Sequence, residues 1–330
     1  MSHELHFYVH AGDKPVKKGL LGPLKAELSD GHVAVEELKT FFHRCGHFRA
    51  TDPTEHGFDE NYYNKHTGTS IAFRLNTGTI HEMESRYSFP GFNYTGLSVS
   101  IEYFSPAYFA HEAAALLEAM CREFRMYVLD PQLSPLLKKC MAVTIIRSWE
   151  IGNENAVKKG LSGKALPGQE EGHPTENRLA RPYMPRDMMM AWWKYMYRKE
   201  EMTRRVRETP VRVHVPEWKI IRRVGHDKLY LAMTLAEGIG YVMPPCDVFL
   251  VKRNRFSEVG AIEADVLLPK IKEFLKPWSF SGMDFNVLTS PDARRMAKVL
   301  RETQLEDLHK YEQIAPGSFI DVDLTETSNN

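Results

Sequence analysis

The sequence has few cysteines, and their spacing supports neither a metal site nor a disulfide framework. The chain has 330 residues and contains Cys45, Cys121, Cys140 and Cys246, with no CxxC pair. Structural zinc sites use closely spaced cysteine or histidine pairs, and small secreted domains use dense disulfides. The cysteine usage therefore predicts buried, reduced thiols in a cytoplasmic protein.

Long apolar runs and an excess of one charge are also missing. No stretch approaches the roughly 18 consecutive apolar residues of a membrane-spanning helix. The first residues, MSHELHFYVHAGDK, lack the basic start and apolar run of a secretory signal. The 43 basic residues balance the 43 acidic ones. We expect a cytoplasmic chain that has no membrane partner.

Motifs that mark catalysis or cofactor binding do not occur in the sequence. The HExxH, GxSxG, Walker and GxGxxG patterns are all missing. The nearest approach to a metal site is the stretch HGFDENYYNKH, which contains His56, Asp59, Glu60 and His66. A polar, solvated connection explains the same composition, and we prefer that reading. We therefore predict no metal, no cofactor and no enzymatic activity.

The first 135 residues show a regular succession of strands and helices. Alternating apolar residues predict strands in LHFYVH, SIAFRLN, GLSVSIEYF and MYVLD. Apolar residues at helical spacing predict helices in AVEELKTFFHRCG, ended by Gly46, and in YFAHEAAALLEAMCREF, capped by Ser105 and Pro106. This order is that of a ferredoxin-like βαββαβ sandwich of the α+β class. We assign residues 1–135 to that domain.

In such a sandwich both helices cover one face of the sheet and the other face is open. The alternation places His6, Tyr8, His10, Arg74 and Glu102 on that second face. The face is predicted to be a binding platform, or to be covered by the second domain or a partner. His111 and Glu112 are predicted to lie on the solvated side of their helix.

The rest of the chain reads as a connection and a second α+β domain. We predict a connecting segment and linker over residues 136–185, with a helix in SPLLKKCMAVTIIRSWEIG, and the second domain over residues 186–330. Helices are predicted in DMMMAWWKYMYRKEEMTRRVRE and SPDARRMAKVLRETQLEDLHKYEQI. Strands are predicted in KLYLAMTL, DVFLVKR, MDFNVLT and SFIDVDL.

Basic and aromatic residues concentrate at the start of this second domain. Residues 176–228 contain 14 Lys and Arg against 7 Asp and Glu, whereas residues 1–135 contain 12 against 17. The interleaved aromatic residues are Trp192, Trp193, Tyr195, Tyr197 and Trp218. Such a mixture can bind single-stranded nucleic acid, or it can be an amphipathic helix whose rings fill a core. We prefer the core; a nucleic-acid-binding protein or an enzyme that uses this domain is the alternative.

The stretch SIEYFSPAYFAHEAAALLEAMCREFRMYVLDPQ resembles immunity proteins of bacterial polymorphic toxin systems. The nearest in pattern are those paired with secreted nuclease toxins of restriction-endonuclease fold. The resemblance covers about residues 95–135. It implies a cytoplasmic protein that binds a cognate toxin and occludes its active site or substrate entry. A structural component of a larger bacterial assembly is a further possibility.

The stretch TDPTEHGFDENYYN is the most acidic one that the pattern places at the surface. A nuclease is basic where it holds phosphate, so acidic side chains opposite it steer association. We predict that this stretch is a loop in the toxin interface. The predicted interface residues are the carboxylates Asp52, Glu55, Asp59 and Glu60 and the aromatic anchors Tyr62 and Tyr63.

Overall fold

The computed structural model is an α+β protein, as predicted, and its chain divides into two compact units. The first unit holds the described residues up to 161, and the second begins at Arg181. The described residues are 1–11, 33–54, 57–79, 82, 86–161, 181–209, 212–253 and 258–322; of residues 50–54, 79, 160 and 161 only the backbone is described.

In its described part, the first unit is a seven-stranded antiparallel sheet with helices packed on one face. The strands are β1 (Ser2–His10), β2 (Phe48–Thr54), β3 (Gly57–Tyr63), β4 (Ser70–Asn76), β5 (Phe92–Glu102), β6 (Met126–Asp130) and β7 (Ser134–Lys139). The helices are α1 (Val35–Cys45), α2 (Tyr108–Phe124) and α3 (Ala142–Leu161), with a short 3-10 helix at Thr77–Thr79. The strand order is β2-β3-β4-β5-β1-β6-β7.

Aromatic side chains join the helices to the sheet. The ring of Phe42, on α1, lies 5.0 Å from that of Phe73 on β4. Phe41, also on α1, lies 5.8 Å from Phe124 on α2. Leu5 on β1 pairs with Val99 on β5, and both side chains are fully buried. Alternate residues of these two strands therefore point toward the helices. These contacts make the core of the first unit.

The predicted helix ends of the first unit are partly confirmed. Gly46 does end α1, in the left-handed conformation at φ 75°, which glycine adopts without strain. The predicted cap of α2 is wrong, because α2 starts two residues after Pro106 and its N-cap Ala107 makes no side-chain bond. The backbone oxygen of Ser105 instead accepts a hydrogen bond from Asn153 Nδ2 on α3, at 3.3 Å.

The predicted boundary of the first domain at residue 135 is too early. Residues 134–139 form the edge strand β7, and the helix begins only at Ala142. The reversal before β7 is held by Asp130, whose Oδ1 accepts hydrogen bonds from the backbone N–H groups of Gln132 and Leu133. An edge strand tolerates Pro135, since its missing N–H need not face a neighbour. The part of the predicted linker at 162–180 lies outside the described residues.

The second unit contains a six-stranded and a three-stranded sheet. Its strands are β8 (Trp218–Arg223), β9 (Leu229–Ala236), β10 (Tyr241–Met243), β11 (Val248–Arg253), β12 (Glu258–Glu263), β13 (Leu275–Phe280), β14 (Met283–Leu288), β15 (Glu306–Asp307) and β16 (Tyr311–Ile314). Its helices are α4 (Arg186–Tyr197), α5 (Lys199–Arg207), α6 (Ala264–Ile271) and α7 (Ser290–Glu302), with 3-10 helices at Lys272–Phe274 and Leu308–Lys310.

The larger sheet has the order β15-β12-β11-β9-β8-β16, and the smaller has the order β10-β14-β13. Only β9 and β11 pair in parallel among the described strands. The main core packs Met233 and Phe249 of the larger sheet against Leu267 of α6, Leu300 of α7 and Leu288 of the smaller sheet. The predicted strands KLYLAMTL, DVFLVKR and MDFNVLT are confirmed as β9, β11 and β14.

Three predictions for the second unit are wrong in extent. The helix predicted from Asp187 to Glu208 is broken at Arg198, where φ is −98° and ψ is 5°. The last predicted helix ends at Glu302, because the Thr303 carbonyl accepts a hydrogen bond from the Arg253 guanidinium and the chain turns into β15. In place of the final strand, the described residues contain one bridge between Ile320 and Tyr183.

None of the helices in the described ranges is both long enough and apolar enough to cross a lipid bilayer.

Candidate functional site

The stretch predicted to be an acidic interface loop is a β-hairpin formed by β2 and β3. Of the six predicted interface residues, Glu55 lies outside the described residues and only the backbone of Asp52 is described. The other four alternate between the two faces of β3. Asp59 and Tyr63 share one face, whereas Glu60 and Tyr62 share the face that bears α1. The structure therefore does not bring these four side chains together on one surface.

Each of the four has a defined environment. Asp59 Oδ1 is 3.1 Å from Arg74 Nε in an exposed ion pair. The Arg49 guanidinium lies 4.4 Å from the ring centre of Tyr63. Tyr62 is 5% exposed and donates its hydroxyl to Glu112, so it cannot anchor a partner. Asp59, Glu60 and Tyr63 remain available at the surface.

Glu60 lines a shallow cavity of about 360 Å³ with Lys39, Thr40, His43 and Phe48. Burial raises the pKa of Glu60, and the charges of Lys39 and His43 act in the opposite direction. The possible metal set that includes Glu60 is not assembled, because Asp59 points to the other face of the strand. His56 lies outside the described residues.

The second face of the first sheet carries the residues that the alternation placed there, but its centre is covered. Tyr8 is 1% exposed and packs with Tyr94 and Leu129. The hydroxyl of Tyr8 donates to the backbone oxygen of Tyr87, at 3.1 Å. His6 is also buried, and this burial is the main cause of the lowered pKa of its imidazole. Tyr8 therefore offers no ring on which a nucleic acid base could stack.

Two carboxylates of the first unit, the buried Glu112 and the half-buried Asp130, hold elements together. Glu112 is 3% exposed, which corrects its predicted position on the solvated side of the helix. Its oxygens accept hydrogen bonds from Tyr62 at 2.9 Å, Asn64 at 3.1 Å and Thr69 at 2.9 Å. Asp130 lies 2.9 Å from His3 Nε2 and also accepts a hydrogen bond from Ser148. Carboxylates that accept three or more hydrogen bonds from other elements of the same unit stabilise its fold.

The thiols are poorly suited to nucleophilic chemistry. A hydrogen bond with Cys140 and burial raise the pKa of the Cys121 thiol. Burial raises the pKa of Cys45 and, together with the nearby Asp247 carboxylate, that of Cys246. Because the thiolate is the reactive form, these cysteines are protonated and weakly nucleophilic at neutral pH.

A large groove lies within the second unit, and half of its lining residues come from the basic, aromatic stretch 176–228 whose composition also suited nucleic-acid binding. Its volume is about 660 Å³, within the range of about 300–1,000 Å³ for ligand-binding clefts. It is lined by α4, β8, β9, β14 and the turn between β10 and β11. Its lining residues are Asp187, Met188, Met190, Ala191, Lys194, Tyr195, Trp218, Leu231, Pro245, Cys246, Asp247, Met283, Asp284 and Phe285. We call this feature the α4 groove.

The walls of the α4 groove are held rigidly. Tyr195 donates its hydroxyl to the Pro216 carbonyl at 2.9 Å, and its ring packs edge-on against Trp218 at 5.4 Å. Leu231 N–H donates to the Asp247 carboxylate at 2.7 Å, which joins β9 to the turn before β11. A groove whose walls are fixed by such bonds loses little entropy when a ligand binds.

One polar group of the wall has no partner. Trp218 is 4% exposed, and its indole N–H makes no hydrogen bond with any described residue. Buried N–H donors are normally paired, so this orphaned donor, on a residue that lines the groove, is an unmet hydrogen-bonding group of the wall.

The sequence contained one signal for this groove. In DMMMAWWKYMY the core stripe is Met189, Trp192, Tyr195 and Met196, yet further apolar residues remain on the helix. Met188 and Ala191 are two of these further apolar residues; they lie three positions apart, on one side of the helix, and both line the groove. No local pattern in the sequence indicated that residues of β8, β9 and β14 would also line the groove.

The basic, aromatic stretch mostly fills a core, as we preferred. Trp192, Tyr195 and Trp218 are each less than 5% exposed, so their faces cannot stack on bases. Trp193 and Tyr197 lie nearer the surface, where their rings pack against each other at 5.6 Å.

Within the part of the chain that the structure describes, no three His, Cys, Asp or Glu side chains are grouped to hold a metal ion. No protein-family model, curated protein or solved structure matches the chain.

Proposed function

We propose that this chain is an immunity protein, a cytoplasmic protein that binds a cognate toxin and neutralises it by occluding the toxin's active site or substrate entry. The observation that carries the proposal is the α4 groove, a cleft of about 660 Å³ whose fourteen lining residues include three methionines and three aromatic residues. Methionine and aromatic residues are the side chains that binding surfaces use most. The groove is proposed to receive part of the toxin.

Binding rather than catalysis is supported by the chemistry of the groove wall. Histidine is not among the described residues that line the groove, and burial raises the pKa of its cysteine, Cys246. General acid–base catalysis needs a group that titrates near the working pH within reach of a nucleophile. The exposed wall carboxylates Asp187, Asp247 and Asp284 are better suited to pairing with a partner's charge.

The acidic β2–β3 hairpin is proposed as a second contact, one that steers the toxin during approach. Asp59 and Glu60 carry its negative charge among the described side chains, and Asp52 and Glu55 add charge in the sequence. If the toxin is a nuclease, its phosphate-binding surface is basic, and long-range attraction raises the association rate.

We also propose that the first unit is a ferredoxin-like sandwich that has been extended at both sheet edges. The supporting observation is the inner strand order β4-β5-β1-β6 with α1 and α2 as the two crossover elements. That strand order supports a βαββαβ sandwich in which the chain passes from α1 through β2 and β3 before it enters β4. In this reading β2 and β3 extend one edge, and β7 extends the other.

The proposal is tested genetically and biochemically. If the gene beside this one encodes the toxin, deletion of the immunity gene should be lethal or growth-arresting, and deletion of both genes should restore growth. The purified toxin domain should lose its activity when this chain is added in equimolar amount. Viable single deletion and undiminished toxin activity would together refute the immunity role. Salt-sensitive binding of DNA or RNA by the chain alone would favour the alternative function.

The role of the groove is tested with matched variants. Ala191 is exposed and lines the groove, so Ala191→Arg fills the cleft without disturbing the core. Val266 is 46% exposed on α6 and does not line the groove, so Val266→Arg is the control. We expect Ala191→Arg to weaken toxin binding by about a hundredfold, the loss of a central contact in an interface. Equal affinities for the two variants would remove the groove from the interface.

A further inference from the structure

We infer that the α4 groove binds an apolar protein segment that carries a lysine or arginine beside its apolar residues. This inference rests on the proposed function and specifies which part of the partner enters the cleft. Three features of the groove support it: its apolar floor, the charge of its wall and the unpaired Trp218 indole.

The floor selects apolar side chains. Met188, Met190 and Met283 lie beside Tyr195 and Phe285, which pack ring to ring at 5.7 Å. Methionine side chains are flexible and polarisable, so they adapt to aliphatic and aromatic groups of different shape. Burial of such groups supplies the main favourable free energy of binding.

The wall selects positive charge. Three exposed carboxylates, Asp187, Asp247 and Asp284, face one exposed ammonium group, that of Lys194. None of the three carboxylates forms an ion pair with a lysine or arginine in the described part of the chain. Asp284 Oδ1 accepts a hydrogen bond from Ser279 at 3.0 Å and Asp247 Oδ2 accepts one from Leu231, so other lone pairs of both stay open. An anionic ligand would be repelled.

The unpaired indole selects a hydrogen-bond acceptor. Trp218 N–H is a donor only, and it is buried without a partner among the described residues. A backbone carbonyl of an extended segment provides such an acceptor next to its side chains. A peptide therefore meets all three requirements at once, whereas a simple aliphatic cation meets only two.

The experiment uses the full chain and two synthetic peptide pools. Both pools share the same randomised leucine, methionine, phenylalanine and tryptophan positions; one ends in two arginines and the other in two glutamates. Binding is measured by fluorescence anisotropy of a label on the peptides. We expect the arginine pool to bind at least about tenfold more tightly, because like charges disfavour the glutamate pool.

Variants of the wall test each feature separately. Asp187→Asn combined with Asp284→Asn should weaken binding of the arginine pool about threefold to tenfold, the effect of two exposed ion pairs. The control is Asp265→Asn, an exposed carboxylate on α6 outside the groove. Trp218→Phe should weaken binding of both pools about equally, and Trp149→Phe removes another unpaired indole N–H, in the first unit, as its control.

The outcomes separate this inference from the immunity role. Equal affinity for the two pools, or no binding of either, overturns the inference. If the toxin is still neutralised in that case and Ala191→Arg still abolishes neutralisation, the proposed function stands and only the ligand chemistry is wrong. If the arginine pool binds as expected but no toxin is neutralised, the groove has the inferred specificity and the immunity role fails.

Discussion

His3 and Asp130 are 127 positions apart in the sequence, yet Nε2 of His3 lies 2.9 Å from Oδ2 of Asp130. Ser148 of α3 donates a hydrogen bond to the same carboxylate oxygen. The pair therefore joins β1, β6 and α3, and His3 itself is fully buried.

We expect this carboxylate to make stability depend on acidity. Burial alone would raise the pKa of Asp130, but hydrogen bonds from His3, Ser148 and the Leu133 backbone, with the charge of His3, lower it below its usual 3.8. A lowered folded pKa gives stability that is present above the unfolded pKa and is lost as the pH falls through the folded pKa.

The variant Asp130→Asn should therefore lower the free energy of unfolding by about 1–3 kcal/mol near neutral pH. The difference from wild type should shrink as the pH is lowered below 3.8. Urea denaturation at several pH values measures it, with Asp265→Asn as an exposed control. A difference that stays constant down to pH 3 would contradict the assigned role.

The buried Glu112 should be more costly to remove than an ordinary surface acid. Glu112→Ala leaves three buried donors, on Tyr62, Asn64 and Thr69, without their acceptor. We expect a loss of at least about 3 kcal/mol, since each unpaired buried group costs about 1–3 kcal/mol. Tyr62→Phe removes one donor only and should cost about 1 kcal/mol. Similar losses for the two variants in chemical denaturation would show that the carboxylate does not organise the cluster.

Gly152 lies within α3 against the ring of Tyr103. A Cβ at this position would collide with ring atoms and the hydroxyl oxygen of Tyr103. Alanine normally stabilises a helix by about 1 kcal/mol relative to glycine, but this contact reverses the sign. We expect Gly152→Ala to lower the melting temperature. The double variant Gly152→Ala, Tyr103→Ala should lose less stability than the sum of the losses in the two single variants. A melting temperature raised by Gly152→Ala would disprove the close packing.

If the chain binds a toxin as proposed, the β2–β3 hairpin should affect the rate of that binding more than its strength. Neutralising Asp52, Glu55, Asp59 and Glu60 together should lower the association rate about tenfold at low salt and weaken its salt dependence. Stopped-flow mixing with the toxin domain measures both. The control neutralises Asp265, Glu273 and Glu302, which are exposed in the second unit. Unchanged association kinetics would exclude the hairpin from steering.

Much of the local structure followed from the sequence because it depends on neighbours in the chain. Apolar residues alternate in KLYLAMTL because one face of β9 is buried. Apolar residues recur at helical spacing in α2 because one face of that helix is buried. Local patterns were misleading where distant groups competed. Ser134 and Pro135 resemble a helix start, but pairing with β6 makes that stretch a strand.

The sequence by itself determined the α+β class, seven of the sixteen described strands and most of the described helices. The tertiary structure alone decided that Glu112 is buried, since its three donors lie 43 to 50 positions earlier in the chain. It also decided the α4 groove, whose walls come from residues between Asp187 and Phe285. The reason is physical: a helix or strand is selected by the burial of its own side chains, whereas a cleft and a buried charge exist only where separate elements meet.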